Sequence, residues 1–226
     1  MIRLDHFSLA VKNVYEAADR LRAATGLGCY DGGWTETGSG SRIFPLGGKT
    51  YLQMEGIVDV YALQDPKNEG VKTFYRQVAE GDRFRGFALG VDSLEELQAI
   101  AKERKLQTPI TPKGGRILPD GHKLVAAGVG STAELWSKGL PIWNFFPDMT
   151  THPSGQPVIA SPGLRRPMGI AWIEVGGSEA EMNRWIGQPA SSLKIRFNGK
   201  APGLYAVAVA TETEEVVIQR KAINEP

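Results

Sequence analysis

A six-residue pattern occurs twice in the chain, as His6-Phe7-Ser8-Leu9-Ala10-Val11 and as Gly86-Phe87-Ala88-Leu89-Gly90-Val91. In both copies apolar residues alternate with small or polar ones, which is the period of a strand with one buried face. Each copy is followed by a helix-capping residue, Asn13 or Ser93, and by an apolar-periodic helix. The chain therefore contains two copies of one strand–helix unit, and such units bury their apolar faces by packing together.

A second repeat lies after each helix, where the segment Arg42–Gly47 with Lys49 returns as Arg116–Gly121 with Lys123. The Gly47-Gly48 pair predicts a hairpin turn between strands at 42–46 and 50–57. We expect the two hairpins to be equivalent, so that each unit has the order strand, helix, strand, strand, strand.

The rest of the chain predicts a crossover and a further, smaller unit. Five prolines between residues 147 and 167 exclude regular structure there. Residues 169–175 alternate as a strand and residues 178–186 have helical periodicity, which indicates a third, partial unit. We expect one domain with these parts: first βαβββ unit 1–57, connector 58–84, second βαβββ unit 85–146, Pro-rich crossover 147–167 and partial unit 168–226.

Charge and cysteine content limit the class of protein. The chain has 26 basic and 25 acidic residues, and this balance does not favour a nucleic-acid or anionic-membrane surface. Cys29 is the single cysteine, which excludes an internal disulfide and favours a reducing compartment. The first residues enter a strand pattern at once, without the features of a signal peptide. We therefore expect a cytoplasmic protein, either monomer or homodimer, that binds a small organic ligand.

Strand alternation places an imidazole and a carboxylate on one face of the predicted sheet. If Leu52 and Met54 join the helix-facing layer, then Tyr51, Gln53 and Glu55 emerge on the side that carries His6. His6 and Glu55 are accordingly the candidate catalytic residues. They lie outside the apolar layer, so we expect their substitution to leave the fold largely intact.

The order of these elements resembles the vicinal oxygen chelate superfamily, which includes glyoxalase I and extradiol dioxygenases, and more narrowly the glyoxalase-like domain family. The resemblance is carried by Leu4-Asp5-His6 with Ala10-Val11, and by residues 41–47, 50–52, 86–89, 116–121, 141–143 and 162–166. It implies an α+β fold in which tandem βαβββ units form a curved, half-open mixed sheet around a cavity.

The resemblance also implies a divalent metal, Fe, Mn, Ni, Co or Zn, bound by a first-strand and a last-strand residue of each unit. In the first unit these residues are His6 and Glu55. In the second unit Gly86 takes the first-strand place, and the last-strand place falls at Val129 or among Trp143, Asn144 and Phe145. A third ligand would have to come from one of four other donors: His122, His152, Asp148 and Glu174.

Two functions remain open at this point. The first is a small-molecule enzyme of lyase, isomerase or dioxygenase type, using a metal held mainly by the first unit or, without a metal, an imidazole–carboxylate pair as general base. The second is a binding protein that sequesters a small molecule or antibiotic, with a degenerate metal site. Repetition of Arg42 and Arg116 favours structural pairing with carbonyls or with carboxylates of the opposite unit over anion recognition. The substrate-binding candidates are Tyr51, Gln53, Arg42, Trp143 and Phe145, with Trp34 as a further aromatic.

Overall fold

The computed structural model describes residues 1–61, 69–106, 113–159 and 162–219. Predictions for the connector, the Pro-rich crossover and the carboxyl terminus that fall on residues 62–68, 107–112, 160–161 or 220–226 lie outside the described residues. The α+β class and the tandem βαβββ units are confirmed.

The first unit has the predicted order of elements. Its bounds are β1 Arg3–Ala10, α1 Val14–Thr25, β2 Tyr30–Thr35, β3 Ser39–Gly47 and β4 Thr50–Ile57. The Asn13 side chain accepts hydrogen bonds from the Tyr15 and Glu16 backbone N–H groups, and Gly26 ends α1 in the left-handed conformation at φ 68°. The residues that begin and end this helix are therefore those expected from the sequence.

The second unit repeats this order and adds a short helix. After the connector helix α2, Glu69–Ala79, its elements are β5 Arg83–Gly90, α3 Leu94–Glu103, β6 Lys113–Ile117, β7 Lys123–Val129, α4 Thr132–Ser137 and β8 Ile142–Phe145. A 3-10 turn at Pro153–Gly155 interrupts the crossover. The last elements are β9 Pro167–Gly176, α5 Glu179–Ile186, a 3-10 turn at Ala190–Leu193, β10 Ile195–Phe197, β11 Gly203–Thr211 and β12 Glu215–Gln219.

Eight of the described strands form one closed sheet in the order β1-β4-β3-β2-β6-β7-β8-β5. The two units join where β1 runs antiparallel to β5 and where β2 runs antiparallel to β6. The second junction has only two residue pairs, Trp34 with Ile117 and Thr35 with Arg116. This short ladder closes the side that the sequence analysis left open, so the sheet is a barrel.

The two hairpins that look alike in sequence occupy different places in the two units. Residues 39–57 form β3 and β4, the third and fourth strands of the first unit, whereas residues 113–129 form β6 and β7, the second and third of the other. The predicted equivalence of Arg42 and Arg116 is therefore wrong. The true counterpart of β4 is β8: β1 pairs Ala10 with Glu55, and β5 pairs Gly90 with Asn144. Asn144 thus stands where the first unit has Glu55.

The alternation within β1 and β5 sorts their side chains as predicted. Phe7 and Leu9 are fully buried in the layer beneath the helices, and Phe87 and Leu89 join them in the same core. This core continues into the second sheet, which has the strand order β10-β9-β11-β12. On the concave side, α4 fills the space beside Gly86, because a Cβ there would overlap the indole ring of Trp136.

Candidate functional site

A β-bulge in β1 turns Asp5 toward the concave face of the barrel. The register pairs Leu4 with Leu89 and His6 with Ala88, so β1 advances two residues while β5 advances one. The extra residue is Asp5, which strict alternation would have placed under the helices. Its carboxylate oxygen Oδ1 would lie 3.1 Å from a Cβ at Gly90, a concave-face position on β5.

Asp5 is the centre of a buried polar cluster that contains two of the three histidines. His6 Nδ1 lies 2.8 Å from Asp5 Oδ2, and His152 Nε2 lies 3.2 Å from Asp5 Oδ1. The Asn144 amide nitrogen lies 3.5 Å from both Asp5 Oδ2 and His6 Nδ1. Asp5 and His152 are almost fully buried, whereas the His6 side chain keeps 8% of its exposure. We call Asp5, His6, Asn144 and His152 the histidine cluster.

The hydrogen bonds of the cluster fix which ring nitrogens carry protons. Burial alone would raise the pKa of Asp5, but hydrogen bonds from His152 and His6 outweigh it and hold that pKa well below its usual range. Because an ionised carboxylate only accepts hydrogen bonds, His6 donates from Nδ1 and His152 from Nε2. His152 Nδ1 in turn accepts from the Ser154 backbone N–H at 3.2 Å.

This arrangement leaves the Nε2 atom of His6 free to act. Within the described part of the chain no hydrogen bond to this nitrogen is present, and the His6 side chain as a whole keeps 8% of its exposure. Tyr51 stacks on the His6 ring with centroids 5.0 Å apart and meets the His152 ring edge-on at 5.5 Å. The tyrosine therefore fixes the ring plane while Asp5 fixes the tautomer.

Glu55 belongs to a different cluster, which we call the arginine cluster: Glu55, Arg85 and Arg116. Arg116 donates to Glu55 Oε1 at 2.8 Å, and Arg85 pairs with Oε2. Ser8 donates to Oε2 at 3.3 Å. Burial would raise the pKa of Glu55, but the two guanidinium groups hold it below its usual range. Arg116 thus pairs with a carboxylate of the opposite unit, a role that the sequence predicted for it.

His6 and Glu55 do not converge on one point. β1 pairs His6 with Tyr51 and Ala10 with Glu55, so the two side chains are four residues apart along the strands, about 13 Å. Both Glu55 oxygens are occupied by arginine. Within the described ranges, no three histidine, cysteine, aspartate or glutamate side chains are grouped so as to hold an ion. The donors in this structure therefore do not fit the metal that the resemblance implies.

A cavity of about 440 Å³ opens inside the barrel, and Arg116 of the arginine cluster lines it, whereas the histidine-cluster side chains are not among the described residues of its wall. Gln53 and Arg116 line it on the concave face, together with the apolar side chains of Ile43 and Leu124. Tyr30 also lines it, and its hydroxyl donates to the Pro153 carbonyl at 2.9 Å. The crossover residues on either side of His152 form a further wall of the cavity. A volume of this size suits a small metabolite.

The aromatic and arginine candidates lie elsewhere. Trp143 is fully buried in the helix-facing layer, with the Arg104 guanidinium 5.2 Å from its ring, and Phe145 has the same parity on β8. Arg42 faces outward, 3.2 Å from Asp31 and over the Tyr15 ring of α1. The prediction that these three residues contact a ligand is wrong, because alternation places them on the outer side of the sheet. Tyr51 contacts the two histidine rings, and Gln53 faces the cavity.

The proposed third metal ligands are also dispersed, with one exception. His122 is exposed beside Asp120, Asp148 caps the turn at Thr150, and Glu174 accepts from Asn198 in the second sheet. Among these four donors only His152 lies beside His6, and it contacts Asp5 and not a shared metal position. The sequence analysis missed Asp5 as a site residue because a bulge leaves no trace in a period-two pattern. Its one local signal is the acidic residue directly before His6.

Two βαβββ units close around a mostly apolar cavity in this chain, which is the barrel architecture expected of a glyoxalase-like protein. A family model described as glyoxalase-like domain matches residues 4–188, and the chain belongs to that family. No curated protein matches the sequence. None of the helices in the described part of the chain is long and apolar enough to cross a membrane.

Solved structures are similar to this chain at low sequence identity. A hypothetical protein from Staphylococcus aureus has 8% identity and a TM-score of 0.57, and the match covers 96% of this chain and 84% of that one. Methylmalonyl-CoA epimerase from Mycobacterium tuberculosis has 13% identity and a TM-score of 0.45, with 63% and 85% covered. Another methylmalonyl-CoA epimerase structure has 16% identity and a TM-score of 0.46, with 64% and 95% covered.

Proposed function

We propose that this chain is an enzyme of the glyoxalase-like class that moves a proton on a small organic molecule bound in the barrel cavity. His6 is the proposed general base, acting through Nε2. The observation that carries the proposal is the 2.8 Å contact between His6 Nδ1 and the buried, ionised Asp5. The reaction class is isomerase or lyase chemistry that begins with removal of a proton next to a carbonyl.

The Asp5 carboxylate supplies what a histidine base needs. By accepting a hydrogen bond from Nδ1–H it keeps the lone pair on Nε2, and its negative charge stabilises the imidazolium that forms when Nε2 takes a proton. His152 and Asn144 donate to the same carboxylate and prevent it from turning away. The base is therefore oriented before a substrate arrives.

The cavity wall supplies the substrate contacts. Gln53 pairs in register with Ser8, which makes it a diagonal neighbour of His6 on the concave face. Under the proposal, a substrate held at Arg116 extends past Gln53 toward His6, which does not itself line the cavity. Proton removal would generate an enolate on the substrate and an imidazolium on His6, and return of a proton to carbon would complete an isomerisation.

The proposed mechanism uses no metal ion. The donors around Glu55 and His6 do not fit a metal, and no step of this mechanism is routed through one. The single cysteine, Cys29, is buried and unpaired, and a cytoplasmic location and a monomeric or dimeric state are part of the proposal.

One observation favours the second candidate, a protein that binds without turnover. Gly86 and Asn144 occupy the places that His6 and Glu55 hold in the first unit, so the second unit lacks an equivalent base. Under this alternative the cavity would hold a ligand unchanged.

Hydrogen exchange separates the two candidates without knowledge of the product. The protein is incubated in D2O with a panel of keto acids, hydroxy acids and thioesters, and deuterium at the carbon next to the carbonyl is followed by NMR. The proposal predicts incorporation that His6→Gln removes and His122→Gln retains, since the exposed His122 lines the cavity but has no contact with Asp5 or His6. Stabilisation by a ligand with no incorporation in any compound would support binding alone.

A further inference from the structure

The arginine cluster carries one more positive than negative charge. Glu55 neutralises only one of the two guanidinium groups that contact it. All three side chains are only 10–11% exposed, so solvent screens the excess charge poorly. Placing an uncompensated cation inside a protein is costly, which makes this cluster a site for an anion.

The excess charge is directed into the cavity by Arg116 and not by Arg85. Arg85 lies between two aromatic rings, with its guanidinium 4.8 Å from the Phe74 centroid and 4.9 Å from the Trp136 centroid. Its Nε donates to Gln77 at 3.0 Å. Arg116 lines the cavity instead, and it donates to Ser41 through Nη1 and to Glu55 through Nη2. A guanidinium has five N–H donors, so Arg116 retains donors for a ligand.

Two acidic residues also line the cavity, Asp31 and Asp120, and both already have partners. Asp31 lies 3.2 Å from Arg42. Asp120 lies 3.2 Å from His122, and both are exposed at the rim. Among the described residues that line the cavity, Arg116 is therefore the buried charge available to a ligand.

We infer that the cavity takes a small molecule with a carboxylate group, which Arg116 binds. This inference rests on the proposed function, because it names the part of the substrate that does not react. A guanidinium matches the two oxygens of a carboxylate in one plane, which fixes orientation as well as charge. The arginine cluster thus supplies the positive charge that the family resemblance assigns to a metal ion.

The test uses malonate and the uncharged malonamide as probes of equal size, with NMR of arginine side-chain N–H groups in the full-length protein. We expect saturable shifts of the Arg116 signal with malonate and none with malonamide. Arg116→Gln should raise the malonate dissociation constant by about 10-fold or more, the loss expected for a hydrogen bond between charged groups. Arg196→Gln is the control, since Arg196 lies over the Trp172 ring in the second sheet, and it should bind malonate as the wild type does.

Loss of Arg116 removes a partner of buried Glu55, so a second variant is needed. Glu55→Gln combined with Arg116→Gln removes both charges and should also lose malonate binding. Glu55→Gln alone leaves both guanidinium groups and should bind malonate more tightly than the wild type.

Equal shifts with malonate and malonamide, or wild-type malonate affinity in the double variant, would overturn the inference. His6→Gln distinguishes this failure from failure of the proposed function. That variant should bind malonate normally and lose deuterium exchange. Deuterium exchange by the wild type without malonate binding would contradict only the carboxylate site.

Discussion

Asp5 and Arg85 occupy equivalent positions in the two halves of the barrel, and each is the extra residue of a β-bulge. On β5 the register passes from Phe84 to Gly86 and leaves Arg85 unpaired, as Asp5 is left unpaired on β1. Both bulges turn a charged side chain onto the concave face. The same backbone device thus builds a carboxylate–histidine cluster in one half and a guanidinium–carboxylate cluster in the other.

The hydrogen bonds to Asp5 predict which tautomer each of the two histidines adopts. Long-range 1H–15N NMR should show the proton of His6 on Nδ1 and that of His152 on Nε2, because both rings donate to Asp5. In Asp5→Asn the amide can both donate and accept a hydrogen bond, so His6 and His152 should each show a mixture of tautomers. An Nε2–H tautomer for His6 in the wild type would contradict the site geometry.

Substitution of Gly86 tests the packing of the second bulge. A Cβ at Gly86 would overlap the Trp136 ring, so Gly86→Ala should destabilise the fold by about 1–3 kcal/mol in urea denaturation. Gly115→Ala is the control, since Gly115 is exposed and a Cβ there meets nothing within 4 Å. Equal stability of the two variants would mean that α4 does not occupy this space.

The arginine cluster changes the expectation for Glu55. The sequence analysis expected Glu55→Gln to leave the fold intact, but the structure places this carboxylate between two buried guanidinium groups. Removing it should destabilise the protein by about 3–5 kcal/mol, comparable to Leu89→Ala at about 2–5 kcal/mol. Glu36→Gln breaks an exposed pair with Lys123 and should leave the free energy of unfolding nearly unchanged.

Acid should weaken the fold through Asp5 and Glu55 together. The folded-state pKa of each carboxyl is held below its ordinary value of 3.8 or 4.5. The unfolded chain therefore takes up protons first as the pH falls, and the stabilisation present above the ordinary values is lost as the pH drops through the folded ones. Urea midpoints measured from pH 6 to pH 2 should fall mainly below about pH 5, and Asp5→Asn should flatten this decline.

Strand alternation was enough to predict the order of elements and the faces on which the candidate residues lie. It placed Phe7 and Leu9 under the helices and His6 and Gln53 on the concave face, where the structure has them. It could not reveal Asp5, because a bulge shifts one side chain without changing the pattern of its neighbours. His152 lies in a Pro-rich segment without periodicity, so the sequence named it only as one of four possible donors and gave no reason to place it beside His6.

The two hairpins were wrongly predicted to be equivalent because their sequences are alike around the turn. Arg42–Gly47 and Arg116–Gly121 share residues that end a strand and begin a turn, and such residues recur wherever a hairpin is needed. Such residues do not indicate whether a strand is the second or the third of its unit. Only pairing of β8 with β5 shows that Asn144, and not Val129, is the counterpart of Glu55.

The measurement that tests the central claim most directly is the rate of deuterium incorporation into the best compound of the exchange panel, compared among wild type, His6→Gln and Asp5→Asn. Loss of a general base predicts a rate about 100-fold or more lower in His6→Gln, with a substantial loss also in Asp5→Asn. Circular dichroism and malonate binding serve as controls for folding. A His6→Gln variant that is folded, binds malonate and exchanges deuterium at the wild-type rate would show that His6 is not the base.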